Sequence, residues 1–201
     1  ALPERVWAHG FIYFGGDRFS KSAGVKLDLR EAIARHGPDA LRYFLLREVG
    51  FANDGNFTWE RYDERYIADL ADGLGNLTSR SLAMIEKYRA GRVPEGEPTT
   101  LDAAGLAAVR SYAAAMDALD LRGGAEAAWD LVTAANQFIV QAAPWTLAKQ
   151  QKDSELDQTL AALARCLVRL AVLIQPFMPG KAGELWEHLG QDATPSGAWR
   201  L

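Results

Sequence analysis

A short polar loop near the start of the chain carries residue types that bind phosphate. Residues 17–24 include Arg18, Ser20, Lys21 and Ser22, and they lie between an apolar run and a capped helix. Cations, hydroxyls and backbone N–H groups in such a loop can contact phosphate oxygens. The residue types alone favour a solvated surface loop over a phosphate site, and both interpretations stay open at this point.

A second group of candidate residues lies in predicted helices. Asn76 and Arg80 are four residues apart, which places an amide and a guanidinium on one helix face. An amide pairs a donor with an acceptor and a guanidinium offers a planar fork, so together they can read base edges. Trp145 follows the helix-ending Pro144, where an exposed indole can stack on an unpaired base. A surface pair without a ligand and a Trp packed at a helix junction are the alternatives.

The first part of the chain is expected to be α/β. Residues 6–14 form an apolar run that predicts a buried strand, and residues 15–16 predict a turn. Asp28 is an N-cap candidate for a short helix that Gly37 ends, and Pro38 begins the next helix.

Helices alone are predicted from about residue 59 onward, with a possible interruption near Gly73 and Gly75. Ala/Leu-rich stripes alternate with charged faces, which is typical of an antiparallel helix bundle. The predicted spans are 59–89, 100–118, 122–143, 154–174 and 179–189. We therefore predict a mostly α fold in which residues 1–57 form a short α/β segment and residues 58–201 form a helical domain.

Charge and composition limit the kinds of partner that the chain is expected to bind. The 201 residues carry a formal net charge of −4, which argues against a general nucleic-acid or DNA binder held by many phosphate contacts. Residues 1–50 hold eight Lys or Arg and six Asp or Glu, so their net charge is +2. The single Cys166 and the lack of zinc-ligand spacing predict a reducing, cytoplasmic setting, no metal bound by this chain, and a core position for the thiol. No membrane-spanning segment is expected.

The polar loop closely resembles a known nucleotide-binding motif. Residues 19–22, Phe-Ser-Lys-Ser, with the upstream His9-Gly10-Phe11 and the downstream residues 37–43, resemble the KMSKS loop of class I aminoacyl-tRNA synthetases. The resemblance implies that the loop closes over ATP with its Mg²⁺. Lys21, flanked by Ser20 and Ser22, would then stabilise charge on the phosphates during amino-acid activation. Arg18 stands where the first Lys is usual, and it also would face the ATP phosphates.

The helical part resembles methionyl-tRNA synthetases. Their anticodon domain carries Asn-Leu-x-x-Arg on its first long helix and Ala-Pro-Trp at the end of a later helix, as at residues 76–80 and 143–145. The resemblance implies that Asn76 and Arg80 bind the first base of the CAU anticodon of methionine tRNA, and that Trp145 stacks in the anticodon loop. It also implies that residues 25–57 form a stem-contact module.

The family's HIGH motif is absent from this sequence, so the chain alone is expected not to form methionyl-adenylate from methionine and ATP. A fragment of another class I synthetase, a non-catalytic tRNA-binding module and a purely structural helical domain remain as alternatives.

Overall fold

In the parts that the structure describes, a three-stranded sheet is followed by a helical bundle. The computed structural model describes Val6 and residues 8–18, 28–48 and 54–191. The strands are β1 (Ile12–Phe14), β2 (Asp17–Arg18) and β3 (Gly55–Phe57). The helices are α1 (Leu29–His36), α2 (Pro38–Glu48), α3 (Trp59–Arg65), a π-helical stretch that we call the π segment (Tyr66–Gly75), α4 (Asn76–Arg89), α5 (Thr100–Asp117), α6 (Leu121–Ala142), α7 (Pro144–Lys149), α8 (Asp153–Ile174) and α9 (Pro179–His188). The mostly α fold predicted from the sequence is confirmed.

The sheet is smaller than the sequence predicted. Strand β1 pairs antiparallel with β2 across a turn at Gly15 and Gly16, whose φ angles are 60° and 93°, and it pairs parallel with β3. The prediction of a buried strand over residues 6–14 is wrong in its extent, since Val6 is 88 % and Phe11 is 69 % exposed. Within the described part of that run the strand is limited to its last three residues, since the pairing with β3 begins at Ile12 and the pairing with β2 begins at Tyr13.

A first core joins the sheet to the following helices. Helix α1 begins as predicted at Asp28, whose carboxylate accepts from the Arg30 amide at 2.8 Å, and it ends at Gly37 with φ of 87°. Thr58 caps α3 in the same way by accepting from the Arg61 amide. The apolar faces of these elements then bury one cluster, which comprises Ala32, Ala40, Leu41, Phe44, Phe57 and Tyr62.

A second and larger core lies around α8, which packs against α4, α5, α6, α7 and α9. Leu163, Leu167 and Leu170 on this helix are fully buried. Cys166 lies among them, and burial raises the pKa of its thiol to about 12, as expected for the core position predicted from the sequence. None of the described helices is long and apolar enough to cross a membrane.

The long helix predicted over residues 59–89 runs without a break, but ten of its residues adopt π-helical geometry. The interruption expected near Gly73 and Gly75 is not observed. These glycines allow the wider turn instead, because a Cβ on Gly75 would lie 2.9 Å from the carbonyl oxygen of Leu70. The π segment therefore leads directly into α4 and sets where the first residues of that helix lie.

Candidate nucleic-acid interface

The structure brings two of the three predicted base-contacting residues together. The guanidinium carbon of Arg80, on the second turn of α4, lies 5.9 Å from the centroid of the Trp145 ring on α7. This distance is within the range of a cation–π contact. Asn76 is the first residue of α4, one turn before Arg80, and it is exposed. An amide, a guanidinium and an indole thus share one region of the molecular surface.

The end of α6 presents Trp145 to solvent. Ala143 adopts a left-handed conformation with φ of 44°, and its amide donates to the Ile139 carbonyl, which ends α6. Pro144 then begins α7, where the missing N–H of a proline costs no helical hydrogen bond. Pro144 is buried, whereas the next side chain, Trp145, is 46 % exposed. The sequence predicted that α6 ends at Pro144 but missed the short helix α7.

A half-exposed indole beside a guanidinium can receive a nucleobase. The exposed part of the Trp145 ring offers a flat apolar surface, and bases of any type stack on such a ring. Arg80 adds positive charge and hydrogen-bond donors at the edge of that ring. The chain carries a net negative charge, so RNA would be held here by a few local contacts and not by the overall field.

A polar network connects α2 to the π segment. Tyr43 on α2 donates to the Asp69 carboxylate at 2.6 Å, and Arg65 donates to Asp69 at 3.2 Å and to Glu48 at 2.7 Å. Burial and the bond to Asp69 raise the pKa of Tyr43. Burial opposes the charged form of Glu48, but hydrogen bonds from Arg65 and Arg61 outweigh it and keep the pKa of Glu48 below its ordinary value. These bonds hold α2 against the helix that carries Asn76.

Most of the predicted phosphate-binding residues lie outside the described residues. These are Ser20, Lys21 and Ser22, while Arg18 lies in β2 with its side chain outside what is described. The turn before them is held firmly, because the Gly15 amide donates to the Phe57 carbonyl at 3.0 Å. Among the described residues, there is no group of three or more His, Cys, Asp or Glu side chains that could hold a metal ion.

Sequence reasoning missed two features that bear on this site. The first is the π segment before Asn76, and the second is Asn136 on α6, which donates to the Gly73 carbonyl at 3.2 Å. Two glycines separated by one residue were the available signal for the π segment. No local pattern marks Asn136, because its partner lies 63 positions away in the sequence.

Comparison with known proteins gives the family. Residues 1–82 match the family model described as tRNA synthetases class I (M). Residues 90–199, more than half of the chain, match the anticodon binding domain of methionyl tRNA ligase. The chain therefore belongs to the methionyl-tRNA synthetase family, as the resemblance in the sequence indicated.

Individual relatives agree with this assignment. The chain is 41 % identical over 196 residues to a methionine–tRNA ligase of Listeria monocytogenes, and 39 % identical over 205 residues to that of Bacillus subtilis. These matches cover 94 % and 98 % of this chain but only 30 % and 31 % of the relatives. The structure is similar to Mycobacterium tuberculosis methionyl-tRNA synthetase in complex with methionyl-adenylate, with a TM-score of 0.87 and 38 % identity over 97 % of this chain and 40 % of that one.

Proposed function

We propose that this chain forms the C-terminal part of a methionine–tRNA ligase and binds the CAU anticodon of methionine tRNA. In this proposal residues 58–201 are the anticodon-binding domain, and residues 1–57 supply the KMSKS-like loop and the stem-contact module. The observation that carries the proposal is the position of the Arg80 guanidinium beside the half-exposed Trp145 ring, one helical turn from Asn76.

Each residue has a distinct role in this proposal. Trp145 stacks on an unpaired base of the anticodon loop, a contact worth about 1–3 kcal/mol. Arg80 donates to the edge of the first anticodon base, and Asn76 can both donate to that edge and accept from it. The network of Tyr43, Asp69 and Arg65 supports the role, because it holds the stem-contact module against the helix that carries both residues.

The catalytic contribution of the chain would come from its polar loop. Lys21 places an ammonium beside the ATP phosphates and stabilises the negative charge that develops there when the methionine carboxylate attacks, with Ser20, Ser22 and Arg18 around it. Mg²⁺ enters this proposal only as the ion that accompanies ATP, and no step is assigned to a metal held by this chain. The ligase would act in the cytoplasm.

The binding proposal is tested with this chain and an RNA hairpin that carries the anticodon arm of methionine tRNA. We expect saturable binding, measured by fluorescence anisotropy, that weakens as salt rises, and a loss of at least tenfold in affinity when CAU is changed to another triplet. Equal affinity for both hairpins would remove the anticodon assignment and favour a structural helical domain or a general tRNA-binding module.

Replacing Lys21 in the full-length ligase separates the catalytic role from the binding role. Lys21→Ala should lower methionine-dependent pyrophosphate exchange by roughly 100-fold or more, because transition-state charge loses its counter-ion. Hairpin binding by the same variant should equal that of the wild type, since in this proposal Lys21 contacts the ATP phosphates and not the anticodon arm. Unchanged exchange in Lys21→Ala would refute the role assigned to this residue.

A further inference from the structure

The hydrogen-bond register of the π segment decides where the anticodon residues lie. The Asn76 amide donates to the carbonyl of Ala71, five residues earlier, and also to that of Gly73, three residues earlier, whereas an α-helix would use the residue four earlier. Each residue of an α-helix turns the chain by about 100°. If the π segment changed to α-helical register, each of its turns would take fewer residues, and the Arg80 guanidinium would be rotated away from the Trp145 ring.

Helix α6 holds the π segment in this register from outside. The Trp129 indole N–H donates to the Asp69 carbonyl at 3.2 Å, and the Asn136 amide N–H₂ donates to the Gly73 carbonyl at 3.2 Å. Asn136 also donates to Val132 on its own helix at 3.1 Å, so its side chain is fixed from two directions. A side chain of α6 therefore reaches the backbone of the π segment near each end.

The same helix leads directly to the indole side of the site. Asn136 lies in the last two turns of α6, which ends at Ala142, and Trp145 follows at the start of α7. Gly73 lies three residues before Asn76, and Asn136 lies nine residues before Trp145. The hydrogen bond from Asn136 to the Gly73 carbonyl therefore links the segment that carries Asn76 to the helix that precedes Trp145.

The glycines of the π segment are independent support for its five-residue hydrogen-bond register. Gly75 has ordinary helical angles, φ −62° and ψ −47°, so its backbone conformation does not require glycine. The space around Gly75 does require glycine, because a Cβ at this position would lie 2.9 Å from the Leu70 carbonyl oxygen. At Gly73 a Cβ would lie 3.1 Å from the Ala68 carbonyl oxygen. A glycine thus lies at both positions where the carbonyl oxygen five residues earlier comes close.

We propose that Asn136 is a positioning residue for anticodon recognition: by donating to the Gly73 carbonyl it keeps the π segment in register, so that Asn76 and Arg80 face the Trp145 ring. Asn136 itself touches no RNA in this scheme. The inference deepens the proposed function and rests on it for the RNA readout, whereas the position of Arg80 against Trp145 is measurable without RNA.

The first test is Asn136→Ala in the 201-residue chain. We expect the indole N–H resonance of Trp145 to move in a ¹⁵N spectrum without RNA, and affinity for the CAU hairpin to fall roughly 5- to 10-fold, as for one lost hydrogen bond. Trp145→Phe assigns the resonance. Thr159→Val is the matched control, because Thr159 donates only to the Glu155 carbonyl within α8, and it should change neither readout.

A second variant reaches the same element without touching Asn136. Gly75→Ala should move the same Trp145 resonance, because its new methyl group displaces the Leu70 carbonyl. The double variant Asn136→Ala/Gly75→Ala should lose no more affinity than the more affected single variant, since both disturb one register.

The outcomes separate the two proposals. A Trp145 resonance that stays in place in folded Asn136→Ala and in folded Gly75→Ala overturns the positioning role, whatever their melting temperatures. A resonance that moves in both variants supports the positioning role. If the wild-type chain then shows no preference for CAU, the anticodon proposal fails while the positioning of Arg80 against Trp145 stands.

Discussion

Trp145→Ala is expected to weaken binding of the CAU hairpin by roughly 5- to 150-fold, the equivalent of the 1–3 kcal/mol that one base gains by stacking on an aromatic ring. The ring is 46 % exposed, so its removal should leave the fold intact, as checked by circular dichroism and thermal unfolding. Arg80→Ala should also weaken binding of the CAU hairpin, because the Arg80 guanidinium lies over the same ring. The affinity is measured by fluorescence anisotropy at one fixed salt concentration.

Two control variants make this result specific. Trp145→Phe keeps an aromatic surface and should retain most of the affinity. Leu106→Ala removes another large exposed apolar side chain, 53 % exposed on α5, and should bind the hairpin as the wild type does. Wild-type affinity in Trp145→Ala would show that the indole does not stack on the RNA.

Asp102→Ala is expected to lower the free energy of unfolding by about 3 kcal/mol, as when one partner of a buried ion pair is removed. Asp102 is 5 % exposed and accepts from Arg165 at 2.8 Å, from Arg169 at 3.1 Å and from the Thr99 amide at 2.9 Å. Arg165 also donates to the Gly96 carbonyl at 3.0 Å, so the carboxylate helps to fix the connection between α4 and α5. Urea unfolding measures the loss.

The control for this variant is an exposed ion pair. Glu184→Ala breaks the bond with Lys181, in which both side chains are more than half exposed, and should cost less than about 1 kcal/mol. Similar losses in Asp102→Ala and Glu184→Ala would contradict the structural role of Asp102.

The contribution of Asp102 to the free energy of unfolding should decrease as the pH falls. The bonds from Arg165 hold the pKa of this carboxyl well below its ordinary value, so the unfolded chain takes up the proton first as the pH falls. The stabilisation is therefore complete above about pH 5 and is lost progressively below about pH 4. The difference in unfolding free energy between the wild type and Asp102→Ala should narrow over that range.

Much of the helical fold was predictable because its signals are local. Asp28 and Thr58 accept from amides in the first turns of α1 and α3, and Pro144 marks the end of α6 as predicted. The spacing of Asn76 and Arg80 placed them on one helix face. Their proximity to Trp145 could be expected only from the family resemblance, since 65 residues separate Arg80 from Trp145.

The remaining features depend on contacts between distant residues. The π segment is stabilised by Trp129 and Asn136, which lie about 60 positions further along the chain. In the sequence, the glycine pair indicates only a weak point of the helix. The sequence pattern does not show that α6 donates hydrogen bonds to the carbonyls of the π segment. Likewise, the extent of β1 could not be predicted, because its parallel partner β3 lies more than 40 positions further along the chain.

The central claim is that the Trp145 ring contacts an anticodon base, and intermolecular nuclear Overhauser effects test it most directly. In a complex of this chain with an isotope-labelled CAU hairpin, cross-peaks are expected between the Trp145 ring protons and the protons of an anticodon base. A saturated complex whose RNA cross-peaks reach only other side chains, with the Trp145 resonances unchanged from the free chain, would contradict the account.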